Sequence, residues 1–111
     1  MTEARVDQLR SLPFGSLTTS YQPLGLPLSH LWREWKITNL TNGNLLISFD
    51  GTSDNMIVPA NSFTLYDIST NTNQDASSAM TMSIGTQFLV KYSTAPTSGS
   101  VYLEGIYQKG Q

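Results

Sequence analysis

The sequence predicts an all-β protein: a single antiparallel β-sandwich, immunoglobulin-like or jelly-roll, with seven or eight strands and a short N-terminal arm. Ser, Thr and Asn make up nearly a third of the chain and only 13% of residues are charged, a composition that favours strands and turns over helix interiors. Short alternating segments recur between turn residues, as in small sandwiches. A chain of 111 residues is long enough for one core.

The arm, residues 1–13, is the one segment in which the pattern predicts a helix. Thr2 is a suitable N-cap and Pro13 a stop. So short a helix is marginal alone. We therefore expect the arm to be frayed in the free subunit, to become ordered against a neighbouring protein, and to be dispensable for folding of the sandwich domain, residues 14–111. Its apolar stripe is Val6, Leu9 and Leu12.

Alternation of apolar and polar residues predicts the strands and the side of each that faces the core. Asn42-Gly43 lies between two alternating runs and predicts a hairpin. The other predicted strands are 16–24, a segment around 63–65, 80–84, 88–92 and 101–107. The predicted inward residues are Trp35, Ile37, Leu45, Ile47, Phe49, Phe63, Leu65, Met80, Met82, Ile84, Phe88, Val90, Tyr92, Val101 and Leu103.

The outward phase of these strands also carries apolar residues, which predicts burial against another chain or against the arm. The outward set is Leu46, Tyr66, Ile68, Leu89, Tyr102 and Ile106. The predicted contact residues combine the arm stripe with four of these outward residues. They are Val6, Leu9, Leu12, Leu46, Leu89, Tyr102 and Ile106.

Charge and hydropathy limit the classes of partner. The net charge is −2, too acidic for holding nucleic acid by phosphate neutralisation. No apolar run approaches the length of a membrane span, and the amino terminus lacks the features of a secretory signal. We therefore expect neither a direct nucleic-acid partner nor a membrane partner, and synthesis in a reducing cytoplasm.

The side chains that would carry catalysis are scarce. The chain has no cysteine and one histidine, His30, so neither a thiolate site nor a histidine triad is expected. The segment 50–55 is rich in oxygen ligands and allows calcium, but it lacks EF-hand spacing and is also typical of a turn. We expect a non-enzymatic protein with no cofactor and no metal. A sugar-stacking platform formed by exposed rings is a further alternative, with Trp32, Tyr66 and Tyr102 as candidates.

Several segments in order resemble a family of small virion proteins of tailed bacteriophages. The resemblance spans residues 14–108, nearly the whole chain. It is carried by an S-Y-x-x-L-G-x-P-L strand, an I-T-N-x-T-N-x-x-L-L-I-S-F-D-G segment and three shorter motifs. These lie at Ser20–Leu28, Ile37–Gly51, Val58–Phe63, Gly85–Lys91 and Pro96–Tyr102.

This resemblance implies a structural role without catalytic residues. Because such proteins appear among head and neck genes, it implies a collar, adaptor or connector subunit at the head-to-tail junction, with capsid decoration as the alternative. The implied partners are further copies in a ring and other head, portal or tail proteins. The implied location is the virion, after synthesis in the host bacterial cytoplasm.

Overall fold

The computed structural model describes residues 3–67 and 82–108 as two antiparallel sheets packed face to face. The predicted all-β sandwich is confirmed, with nine strands in these ranges rather than seven or eight. A 3-10 turn, Phe14–Ser16, is the only helical element among them. The strands are β1 (Ala4–Val6), β2 (Arg10–Pro13), β3 (Gln22–Pro23), β4 (Trp32–Asn39), β5 (Leu45–Ser48), β6 (Met56–Val58), β7 (Ser62–Asp67), β8 (Leu89–Tyr92) and β9 (Ser100–Gln108).

The five-stranded sheet has the order β1-β9-β4-β7, and β2 also pairs with β9. The four-stranded sheet has the order β3-β8-β5-β6. Ile37 lies opposite Leu103 in the first sheet and Ile47 opposite Val90 in the second. All four side chains are buried, so the core lies between these inner faces.

The predicted core is confirmed on the central strands and wrong on β7. Phe63 and Leu65 are 60% and 54% exposed because they lie opposite Thr38 and Lys36 on the outer face of β4. Ile84 is also exposed, because it lies in a turn where the end of the strand 80–84 was predicted. Met80 and Ile68 lie outside the described residues. The predicted core residues found buried are Trp35, Ile37, Leu45, Ile47, Phe88, Val90, Val101 and Leu103; Phe49, Met82 and Tyr92 are half-buried.

Three core leucines lie outside the strands. The predicted strand over 16–24 is confirmed only at Gln22–Pro23. Leu17, Leu24 and Leu28 are nevertheless buried, together with Trp32 and Val58. Backbone N–H groups of Leu24 and Leu28 donate to carbonyls that flank β8, so this irregular segment runs along the sandwich without strand periodicity.

The hairpin predicted at Asn42-Gly43 is wrong, because β4 and β5 belong to different sheets. The intervening turn carries the chain from one sheet to the other. A Cβ added at Gly43 would lie 2.2 Å from the carbonyl oxygen of Thr94, so the glycine is required for close packing rather than for a tight two-residue turn.

The helix predicted in the arm is also wrong. β1 and β2 both pair antiparallel with β9. The apolar stripe predicted for the helix is split among different environments: Val6 is 76% exposed, whereas Leu12 packs against the core. One edge of the long β9 is available to the N-terminal segment. Pairing along that edge satisfies the backbone N–H and C=O groups of the segment, whereas in a marginal helix water would compete for them.

Candidate functional site

The residues predicted to make contacts fall on different surfaces. Val6, Tyr102 and Ile106 share the outer face of the five-stranded sheet, since Val6 lies opposite Ile106 and Tyr102 lies four positions before Ile106 along β9. Leu46 and Leu89 lie on the outer face of the other sheet. Leu12 faces the core, and Leu9 is exposed in the link between β1 and β2. That any of them contacts a partner stays a prediction.

The outer face of the five-stranded sheet carries five apolar residues. It combines Val6, Tyr102 and Ile106 with Phe63 and Leu65, the two residues that the sequence placed in the core. Alternation revealed that β7 has an apolar side but could not reveal which sheet face it occupies, because β7 is an edge strand with limited burial on both faces. We name these five residues the outer apolar patch.

A groove of about 310 Å³ crosses this face over β1, β9, β4 and β7. Its apolar lining includes Val6, Ile106 and Leu65, and its polar rim includes Glu34, Lys36 and Glu104. Within the described residues no ion pair joins Glu34 or Glu104. The surface is therefore apolar with two carboxylates available beside it.

Lys36 covers part of the patch. Its ammonium lies 4.8 Å from the centre of the Phe63 ring, a cation–π contact that is modest at an exposed site. The aliphatic stem of lysine also packs on apolar surface while its charge stays in water. The Lys36 side chain thus covers the Phe63 ring, one part of the patch.

Trp32 is fully buried, which excludes it from the proposed sugar platform. Its indole N–H donates to Asp7 at 2.8 Å, and the Arg10 guanidinium lies 4.8 Å from its ring centre. Tyr66 stacks on Trp35 with ring centres 4.7 Å apart, whereas Tyr102 lies on the outer face. The three candidate rings therefore do not share one surface.

The acidic loop after β5 is organised by its own backbone. Asp50 Oδ1 accepts hydrogen bonds from the N–H groups of Ser53 at 2.8 Å and Thr52 at 2.9 Å and from the Ser48 hydroxyl. These donors hold the pKa of Asp50 well below its usual range. This is the turn arrangement that the sequence offered as the alternative to a calcium loop.

Asp54 is engaged separately. It accepts a hydrogen bond from the Tyr21 hydroxyl and lies 3.3 Å from Lys91 Nζ. The bond from Tyr21, followed by that from Lys91, lowers the pKa of Asp54. Burial, followed by the bond to Asp54, raises the pKa of Tyr21. The carboxylates of Asp50 and Asp54 thus make different local contacts. In the described ranges, no group of three or more His, Cys, Asp or Glu side chains is placed to hold a metal ion.

His30 packs flat on Tyr107, with ring centres 3.8 Å apart and planes 3° from parallel. This is the packing role expected for a lone histidine near a strand. No helix among residues 3–67 and 82–108 is long and apolar enough to cross a membrane. Comparisons with protein-family models, curated proteins and solved structures gave no match.

Proposed function

We propose that this protein is a non-enzymatic structural subunit of a tailed-bacteriophage virion, a collar, adaptor or connector protein at the head-to-tail junction. The observation that carries the proposal is the outer apolar patch, in which Val6, Phe63 and Leu65 are each more than half exposed, because exposed apolar side chains rimmed by polar residues often mark interaction sites. The resemblance of residues 14–108 to small virion proteins supplies the setting. Repeated contacts in a particle allow a modest interface to hold firmly.

In this proposal the groove on the five-stranded sheet binds a neighbouring virion protein. Val6, Ile106 and Leu65 offer aliphatic contacts, which favour aliphatic side chains on the partner. Glu34 and Glu104 at the rim favour lysine or arginine beside them. The matching surface would therefore be apolar with basic residues at its border.

The test measures how much of each variant is incorporated into phage particles that assemble in the absence of the wild-type protein. Val6→Glu adds a third carboxylate to the groove at a position that is 76% exposed, and Ile57→Glu is the matched control at 56% exposure on the other sheet. We expect Val6→Glu to lower the amount per particle by about tenfold or more, the equivalent of about 1.4 kcal/mol, while Ile57→Glu behaves as wild type.

Quantitative mass spectrometry of purified particles, normalised to the major capsid protein, gives the readout. Equal incorporation of both variants would contradict a contact through this face. Cryo-electron microscopy of the same particles then tests the location, since density at the neck supports the junction role and density across the capsid surface supports decoration instead.

A further inference from the structure

The four edges of the two sheets differ in how they are protected against pairing with another chain. Edge strands are commonly kept short or interrupted by proline or charge. β1 has three residues with Arg5 at its centre, and β2 ends at Pro13. β3 has two residues including Pro23, and β6 has three residues followed by Pro59.

β7 is less protected, since its only charge is at its last residue, Asp67. It has six residues, Ser62–Asp67, and from Ser62 to Tyr66 it contains neither a charge nor a proline. In the described part of the chain it pairs only with β4. Its outer side chains, Phe63 and Leu65, are more than half exposed. We propose that β7 pairs antiparallel with β7 of a second copy of this chain, which joins two five-stranded sheets into one of ten strands.

The side chains of β7 select one register for this pairing. Residues directly opposite on antiparallel strands share a sheet face, so an outward residue must meet an outward residue of the copy. A twofold axis through Thr64 places Phe63 opposite Leu65 of the copy, and Leu65 opposite its Phe63. Moving the axis to Phe63 or Leu65 leaves one apolar residue opposite a polar one. Only the Thr64 register matches both apolar side chains.

Strand length favours a second β7 over the opposite edge of the same sheet. Pairing of β7 with β1 or β2 of another copy would use three or four residues and leave part of β7 uncovered. In the Thr64 register, Ser62–Tyr66 of two β7 strands cover each other, which is five of the six residues of each strand. Stable interfaces bury about 1,200–2,000 Å² in total. The area buried by a single strand pair with four apolar side chains lies at or below that range. We therefore expect a dimer that dissociates on dilution.

Cysteine crosslinking tests both the contact and its register, and the chain has no native cysteine. Phe63→Cys and Leu65→Cys chains, one carrying a size tag, are oxidised separately and as a mixture. Cysteines directly opposite each other on paired strands are close enough to bond. We expect the mixture to form disulfide dimers of one tagged and one untagged chain. Each variant oxidised alone should form fewer disulfide dimers. Ile57→Cys, equally exposed on an edge strand of the other sheet, is the control and should crosslink weakly with all partners.

Sedimentation of the purified chain supplies a second measurement. We expect a concentration-dependent dimer that Leu65→Lys converts to monomer and that Ile57→Lys leaves intact; tryptophan fluorescence verifies that each variant is folded. A folded wild-type chain that stays monomeric at high concentration, or crosslinking without preference for the mixed pair, would overturn the proposal. None of these measurements involves a virion, so the outcome is independent of the proposed function.

Discussion

At the scale of single residues, Asn39 links the two sheets. It lies at the end of β4, and its amide nitrogen donates to the carbonyls of Gly43, Val58 and Pro59 at 2.9 to 3.1 Å. Its amide oxygen accepts from the N–H of Thr41 at 2.9 Å. Sequence reasoning missed this role, because an asparagine beside a turn is expected to be a turn residue until its tertiary partners are known.

Replacing Asn39 with alanine should leave these buried groups without partners. We expect Asn39→Ala to lower the free energy of unfolding by about 1–3 kcal/mol, measured by urea denaturation. Asn42→Ala is the control, because Asn42 makes its bonds to Thr97 at an exposed position. A change no larger for Asn39 than for Asn42 would contradict the structural role of the network.

Gly105 makes room for Trp32. A Cβ added at Gly105 would lie 2.2 Å from the Trp32 ring, whereas nothing lies within 4 Å of a Cβ added at Gly15. Overpacking of this kind costs typically about 1–3 kcal/mol, so we expect Gly105→Ala to lower the melting temperature and Gly15→Ala to change it little. Gly105 is therefore a site of close packing between β9 and the Trp32 ring.

The loop at Asp50 predicts a pH effect. Because the pKa of Asp50 is lowered in the folded chain, its stabilising contribution is present above the unfolded pKa of about 3.9 and is lost as the pH falls through the lower folded value. Asp50→Asn keeps an acceptor and removes the titration. We expect the wild-type advantage over Asp50→Asn in urea midpoint to be present at pH 5 and to shrink towards pH 2; a constant difference would contradict this.

At the scale of elements, the N-terminal strands close one side of the sandwich. The backbone N–H of Asp7 donates to Gly105, and the Asp7 carboxylate accepts from the buried Trp32 indole. We therefore expect removal of residues 1–9 to lower the melting temperature by several degrees, contrary to the dispensable arm expected from sequence. Asp7→Ala, measured beside it, reports the contribution of the carboxylate, which accepts from the Trp32 indole and lies 3.8 Å from Arg10, and Gln8→Ala is the neighbouring control. An unchanged melting temperature after truncation would contradict this expectation and would support an arm that is dispensable for folding.

The elements show where sequence reasoning succeeds. Strict alternation located β5, β8 and β9 because their inner faces are buried and their outer faces are not. It placed β7 on the wrong face, since an edge strand is only weakly constrained by burial. It assigned the arm to a helix because β1 has three residues, too few for alternation to be detected. Of the predicted contact residues, Val6, Tyr102 and Ile106 share one face, a grouping that depends on strand pairing and not on local pattern.

At the scale of the whole molecule, the two proposals use two parts of one sheet. The groove over β1, β9, β4 and β7 is proposed to bind a neighbouring protein with apolar and basic side chains, and the edge of β7 is proposed to pair with a second copy. The two lie side by side on one sheet. A dimer formed through β7 would therefore present two grooves on one continuous face, which is an arrangement suited to repeated contacts in an assembly.

The most direct test of the structural role is the abundance of this chain in highly purified phage particles, measured by mass spectrometry against the portal and the major capsid protein. We predict that its peptides co-purify with intact particles through successive density gradients at a fixed ratio of several copies per particle. A chain that is abundant in the lysate but lost from the particles during purification would contradict the account.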